Sequence, residues 1–492
     1  MPFLFHLVRL LPALGVLTSV TSTTTENPIN IKALFSPGLS SEANVYVPGD
    51  AAYFSTNERW SNLQTPSYVA AIQPASEDDV VHIVRTAVAN NISFLATGTA
   101  HSVKSGYTTV RAAVNIDLSL LKNIAVDSRG ETVTVGAGVT NDQVYNAVYD
   151  VQKEVPLSTE SCLSTIGTMV GGGLGVLGGV RGALCDSLIS ARIVTASGEL
   201  ITVSQTSHAD LFWAIRGAGA NFGIVVSATF QLYEQTNGGR SLDYSFIYSD
   251  AQAESVFELI HSLDDAKWTG AFWSFWGRYN QTIKEANITL RLIVHGDDAA
   301  AAPHVLSAQA LNPQSVSLLH RTWNSYSEPH EQFCSHGWNA DMWASGLART
   351  DVPALLGLWN EWVAFAFEHD WFNGFWLYER DTDEGLLAVP EDRRGVYPWR
   401  DTRAQLAFVN YIDDAQYERE LHAFIRPLRD RLQEAVGYEQ PRAYVNEAYG
   451  DEGPAVWYGG LNLPRLVALK QQWDPEGKFG AGMPIPLSLA DD

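Results

Sequence analysis

Asp186-Ser-Leu-Ile-Ser-Ala-Arg-Ile-Val-Thr-Ala-Ser-Gly-Glu199, followed by Asp210-Leu-Phe-Trp-Ala-Ile-Arg-Gly-Ala-Gly-Ala-Asn-Phe-Gly-Ile-Val225, decides the fold. Residues 188–195 and 200–203 read as strands flanking the turn Ala196-Ser-Gly198. Residues 209–216 read as a helix and 224–232 as a third strand. Working backwards, Ser76-Glu-Asp-Asp79 is a capping-box-like start ahead of Val80, Val84 and Val88, a helical stripe. Residues 92–96, 114–118 and 132–135 read as short strands, with a turn at Asp127-Ser-Arg-Gly130. Thr140-Asn-Asp-Gln143 opens a second helix. Short strands mixed with helices predict an α+β or α/β domain over about 60–235.

The chain has 492 residues and a net charge of −23, from 32 Lys+Arg against 55 Asp+Glu. With 46% hydrophobic residues it has a globular composition. The acidity argues against a nucleic-acid partner, whose phosphates would be repelled, and equally against anionic membrane surfaces. Cys162, Cys185 and Cys334 are too few for a disulfide-built scaffold. Residues 1–22 have the layout of a secretory signal peptide: His6 and Arg9, an apolar run from Leu10, then small residues. No later apolar segment is long enough to span a bilayer. Sequons at Asn91, Asn280 and Asn287 fit a secreted protein bearing N-linked glycans. Residues 23–59 read as a lead-in.

Beyond 235 the composition changes. Trp268, Trp273, Trp276, Trp323, Trp338, Trp343, Trp359, Trp362, Trp371, Trp376 and Trp399 crowd residues 236–440. Most are expected to pack a sheet core, with some left to line an aromatic substrate chamber. The tail, 441–492, returns to ordinary composition, with a helix expected over 463–472.

Gly171-Gly-Gly-Leu-Gly-Val-Leu-Gly-Gly179 contains a formal G-x-G-x-x-G. Its polar approach, 158–168, is not a strand, so the dinucleotide-binding βαβ context is missing. Either a phosphate or ring approaches the backbone there, or the turn is structural. Thr97-Gly-Thr-Ala-His-Ser102 follows a strand directly and offers N–H groups and hydroxyls suited to a pyrophosphate. His330-Glu-Gln-Phe-Cys334-Ser-His336 matches no zinc spacing, and no metal is expected. Hydrolase and P-loop motifs are absent.

Together these pieces resemble the berberine bridge enzyme-like FAD-linked oxidases of the vanillyl-alcohol oxidase (PCMH-type FAD-binding) superfamily, secreted fungal type. The resemblance is carried by 97–102, by Ser164-Thr-Ile-Gly167 with Gly171–175, by 186–225, and by Tyr444-Val-Asn-Glu447, Gly460-Leu-Asn462 and Asp474-Pro475. It implies an α+β fold with a two-part FAD-binding domain, 60–235 completed by 441–492. A substrate domain at 236–440 would roof the flavin with an antiparallel sheet backed by helices. It implies FAD contacts from Thr97, Gly98, Thr99, Ala100, Ser102, Thr165, Gly167, Thr168, Gly172, Gly173, Gly175, Gly223, Ile224, Val225 and Asn462. His101 maps onto the family histidine bonded covalently to the flavin. Cys162 lies near the family's second, cysteinyl attachment point, although the count back from Gly171 favours Glu160. A plain buried cysteine is the competing reading.

In that family a substrate carbon gives a hydride to FAD, which O₂ usually reoxidises to yield H₂O₂. A base then takes the proton of the substrate OH or NH. Tyr444, Glu447 and Tyr411 are the candidates, with Glu447 at the usual family tyrosine position. Leu163 or Thr165 is a candidate for control of O₂ access. Two substrate classes stay open: the alcohol or amine carbon of a bulky secondary metabolite, which the apolar pocket rule favours, and an oligosaccharide. A secreted flavin- or sugar-binding protein without turnover is the non-enzymatic alternative.

Overall fold

The computed structural model describes residues 29–265, 270–327, 331–380 and 384–489. The expected leader at 1–22, together with Trp268 and His330, lies outside them.

The 186–225 stretch folds largely as read. Strands Leu188–Val194 and Leu200–Ser204 pair antiparallel, and helix Ala209–Ala218 leads to strand Ile224–Gln231. These join Thr132–Gly136 and Ile124–Val126 in a five-stranded antiparallel sheet. The last of these strands, short and half-exposed, carries no clear alternation and was not anticipated.

A second, four-stranded sheet holds Tyr68–Gln73, Ala113–Asp117 and Phe94–Thr97 in parallel, with Asn44–Tyr46 antiparallel at its edge. The described part of the lead-in, from residue 29 on, is therefore part of the fold, with helices Ile31–Phe35 and Tyr53–Asn57 flanking that edge strand. Asp79 explains why. Its carboxylate closes the capping box of helix Glu77–Ala89 by accepting the Ser76 N–H at 2.9 Å. It also accepts the N–H and hydroxyl of Ser40, each at 2.7 Å. One buried acid thus caps the helix and anchors the preceding chain.

The third sheet has seven antiparallel strands in the order Ser315–Thr322, Arg240–Ser249, Glu285–Val294, Ala271–Asn280, Phe375–Arg380, Ala404–Tyr411 and Ala340–Leu347. Helices Ala253–Ser262, Val352–Glu368 and Glu418–Ala435 cover its outer face. Trp273, Trp343, Trp359, Trp362 and Trp376 are fully buried in that layer, so the crowded tryptophans are chiefly core. Gly277 admits them: a Cβ there would lie 2.4 Å from the Trp359 ring.

The C-terminal segment folds back onto the first domain. Helix Leu463–Trp473 presents Lys470, whose Nζ donates to the Asn221 carbonyl at 2.8 Å, the Asp474 carboxylate at 2.6 Å and the Phe479 carbonyl at 3.0 Å. Asn221 in turn donates to Tyr458 and Met483 and accepts from the Ile485 N–H. Both charges are buried, so removing one strands the other. Lys470→Met is expected to cost ~3–5 kcal/mol of stability, read as a lowered urea midpoint for the whole protein.

Candidate active site

Between the two smaller sheets and the seven-stranded one lies a cavity of about 490 Å³, lined by segments far apart in the chain. The turn after strand Phe94–Thr97 forms one wall, with Gly98 through Ser102 at its surface. The Thr97 hydroxyl donates to Asn115 at 2.9 Å and that of Thr99 accepts the Ser164 N–H at 3.1 Å. Among the described residues, the N–H groups of Thr99, Ala100, His101 and Ser102 reach no acceptor. Ala100 holds a left-handed φ of 52°, which costs an alanine about 1 kcal/mol. A turn with unspent N–H groups is what a pyrophosphate needs.

The second wall is helix Thr165–Met169 and the glycine run. Gly167, Thr168, Gly171 and Gly175 line the cavity. A Cβ on Gly175 would lie 2.0 Å from the Leu157 carbonyl oxygen, so the backbone can run there only without a side chain. Gly223, Ile224 and Val225 form the floor.

Other expected contacts lie elsewhere. Thr165 is fully buried, its hydroxyl committed to Asn141 at 3.0 Å; of the two candidates for O₂ access, Leu163 faces the cavity. Gly172 and Gly173 turn away from the lining, packing against Tyr397 and Leu184. Asn462 donates to the Val396 and Tyr458 carbonyls, bracing its loop. These four therefore shape the walls rather than face the cavity.

His101 is stacked under Trp60, with ring centroids 6.1 Å apart, and meets His336 edge-on at 5.6 Å. Burial, reinforced by His336 and Arg59, depresses its pKa from 6.5 to about 3. The ring is neutral and keeps a nitrogen lone pair, the form a nucleophilic imidazole requires.

Cys162 lies beside it, Sγ 3.7 Å from Nε2, but is joined to Cys334 in a disulfide. This corrects the expectation of a second flavin attachment: a cystine sulfur has no thiolate to offer. The partner comes from the sequence stretch considered for a metal. Among the described residues no group of His, Cys, Asp and Glu could hold one.

The base candidates separate. The Tyr444 oxygen accepts the N–H groups of Gly173 at 3.0 Å and Leu174 at 3.1 Å, and the Asn446 side-chain amide at 2.7 Å. Burial drives its pKa up, so Tyr444 is an anchor of the glycine run. Tyr411 is outside the cavity lining, among Trp60, Trp338 and Phe375, and its pKa is also raised by burial. Glu447 lines the cavity. Burial raises its pKa, the Glu379 charge adds to the rise, and Lys104 opposes it. Lys104 is buried, with Nζ donating to the Asn446 and Ala448 carbonyls at 3.0 and 2.6 Å. Burial lowers its pKa to about 8.

Trp276 is one of the tryptophans that line the cavity, and Glu160 lines it too, whereas Lys104, Arg291, Glu379 and the segment Phe479-Gly-Ala-Gly-Met483 escaped the sequence reading. The small residues of that last segment were a usable signal. Arg291 and Glu379 sit on strands that only the sheet registers turn inward, and Lys104 sits on a loop whose partners lie 342 and 344 residues further on.

Comparison with known proteins agrees with this architecture. Residues 69–204 match the FAD binding domain family, and residues 443–486 match the berberine and berberine-like family. The chain is 45% identical over 478 residues to the FAD-linked oxidoreductase fmqD of Aspergillus fumigatus, covering 96% of each chain. It is 36% identical to the FAD-linked oxidoreductase tazL of Aspergillus terreus, covering 97% of this chain and 99% of that one. Among solved structures, the Physcomitrella patens berberine bridge enzyme-like protein 1 superposes with a TM-score of 0.81 at 18% identity, over 94% of this chain and 100% of that one. Xylooligosaccharide oxidase from Myceliophthora thermophila, in complex with xylobiose, gives 0.80 at 19%, over 92% and 98%. The fold and site define an FAD-dependent oxidoreductase of the PCMH type. The chain belongs to the berberine bridge enzyme-like FAD-linked oxidoreductases.

The disulfide is directly countable. Of three cysteines, only Cys185 is free, so denatured, unreduced protein is expected to titrate one thiol, and reduced protein three.

Proposed function

We propose that this FAD-linked oxidoreductase oxidises an alcohol or amine carbon of a bulky, largely apolar metabolite, with Glu447 as the proton acceptor and His101 as the single covalent tether of FAD. The observation that carries this reading is the polarity of the cavity. Trp276, Phe333, Leu377 and Met342 make one region apolar, while Glu379 and Glu447 supply carboxylates in another. The apolar region suits the body of such a substrate and would exclude water. The carboxylates suit its single O–H or N–H.

FAD, when bound, supplies the acceptor for the hydrogen and electron pair of the substrate C–H bond. The turn Gly98–Ser102 and the walls at Gly167, Thr168, Gly171 and Gly175 are the groups that would hold it. Glu447 would take the O–H or N–H proton as that C–H bond breaks, which needs its ionised form. Tyr444 contributes by fixing the glycine run against the segment that carries Glu447. Reoxidation by O₂ is the family-typical completion.

The Cys162–Cys334 bond supports maturation in an oxidising compartment, in keeping with residues 1–22 as a secretory leader. Among the described residues no helix is long and apolar enough to cross a membrane. Asn91 and Asn280 are exposed and open to glycosylation, whereas Asn287 is half-buried on a strand.

Two variants test the assignment. His101→Ala is expected to yield protein whose yellow colour is lost on acid precipitation, while wild type and Cys162→Ala keep it. Glu447→Gln is expected to retain flavin but lose ~10²–10⁴-fold in turnover, scored as anaerobic flavin bleaching across a panel of alcohols and amines. Undiminished bleaching by Glu447→Gln would remove Glu447 from the role.

A further inference from the structure

The inner face of the seven-stranded sheet carries one polar row. Its registers align Arg291, Ser274, Glu379 and Gln405 across four adjacent strands. Two residues along, the same face turns apolar, with Trp276, Leu377 and Ala407 aligned. Glu379 thus projects into the cavity from a rigid central strand, and Glu447 reaches the same cavity from the C-terminal segment.

Among the described residues, no N–H or O–H group donates to either carboxylate. Both acids are half-buried on the cavity wall, so a substrate that displaces the water there leaves two carboxylates short of donors. The charged surroundings do not compensate. Facing Glu379 are Arg291 and Glu160, besides the neutral Ser274 and Gln405. Arg291 is already paired with Asp243 by two contacts, 2.9 and 2.7 Å. Facing Glu447 are Glu379, Lys104, Tyr444 and Tyr397. Lys104 aims its ammonium at two carbonyls. Two neighbouring carboxylates so placed repel, and the pair gives up its protons in two separated steps.

We propose that Glu379 is a positioning residue for the proton transfer: its carboxylate keeps one proton on the Glu379–Glu447 pair and makes Glu447 the stronger acceptor once that proton has left. This rests on Glu447 as the base. In the working direction the doubly ionised pair meets a substrate O–H or N–H. As the adjacent C–H bond gives its hydrogen and two electrons to FAD, the proton passes to Glu447. The pair returns to its singly protonated form, and that proton leaves to solvent after the product. A lone solvated glutamate would be a weak partner for an alcohol proton; a carboxylate raised by a like-charged neighbour is closer in strength to the group it must deprotonate. The raised pKa of each acid, driven first by burial, runs in the same direction.

The test needs no substrate. The infrared C=O band of protonated Glu447 is isolated in the holoenzyme as the difference between wild type and Glu447→Gln, and titrated against pH. In wild type its midpoint is expected well above the ~4.3 of a free glutamate. Glu379→Gln removes the like charge and is expected to lower that midpoint by about one unit or more, whereas Glu379→Asp keeps it near the wild-type value. Flavin content and melting temperature accompany each variant; if Glu379→Gln folds poorly, Glu379→Ser is expected to show the same fall. An unmoved midpoint in a folded, flavin-loaded Glu379→Gln or Glu379→Ser protein overturns the proposal. Full turnover by Glu447→Gln would instead overturn the base assignment, so the two failures are distinguishable.

Discussion

The Tyr444 oxygen accepts the N–H groups of two residues in the glycine run, the first of them 271 positions earlier in the chain. The site depends on that joint. A glycine run without side chains has little to pack and holds its shape only where its backbone finds partners. The phenol supplies one from a segment that folds back over the whole substrate domain. The same segment carries Glu447 into the cavity and lends its carbonyls to Lys104. Lys470 and Asn221 do the corresponding work farther along, through buried polar groups that are satisfied together. Such networks stabilise little in net terms when intact, but they are intolerant of losing a member. They fix one geometry where apolar packing alone would allow several.

Much of this was legible in the sequence, and the reason is local. The capping boxes at Ser76 and Thr140 involve residues three apart, and the structure shows both. The two strands over 188–204 flank the turn Ala196-Ser-Gly198 as read, and that turn contains the expected glycine at positive φ. What failed was long-range. The place of the lead-in in the fold was hidden because its anchor, Asp79, lies 39 residues from Ser40. Thr165, Gly172, Gly173 and Asn462 belong to the right segments, but which side of a loop faces a cavity depends on partners such as Asn141 and Tyr397.

The carboxylates show the same limit. Glu447 could be singled out because it replaces a tyrosine expected from a resemblance. Glu379 had no such cue, since a glutamate on an alternating strand reads as a solvent-facing residue. It faces inward because that sheet is covered on both sides, by helices on one and by the cavity on the other. Sheet register, a property of pairs of strands, decided its role.

The Cys162–Cys334 bond joins residues 172 positions apart, one from each domain, beside His101. It makes assembly a matter of order. Until the chain has been made through about half of the substrate domain, Cys162 has no partner and stands as a free thiol beside the histidine. Protein produced in a reducing cytosol would retain that thiol next to the flavin site. The compartment of synthesis thus sets the covalent state of the pocket rim, and material from two expression hosts can differ there while sharing one sequence.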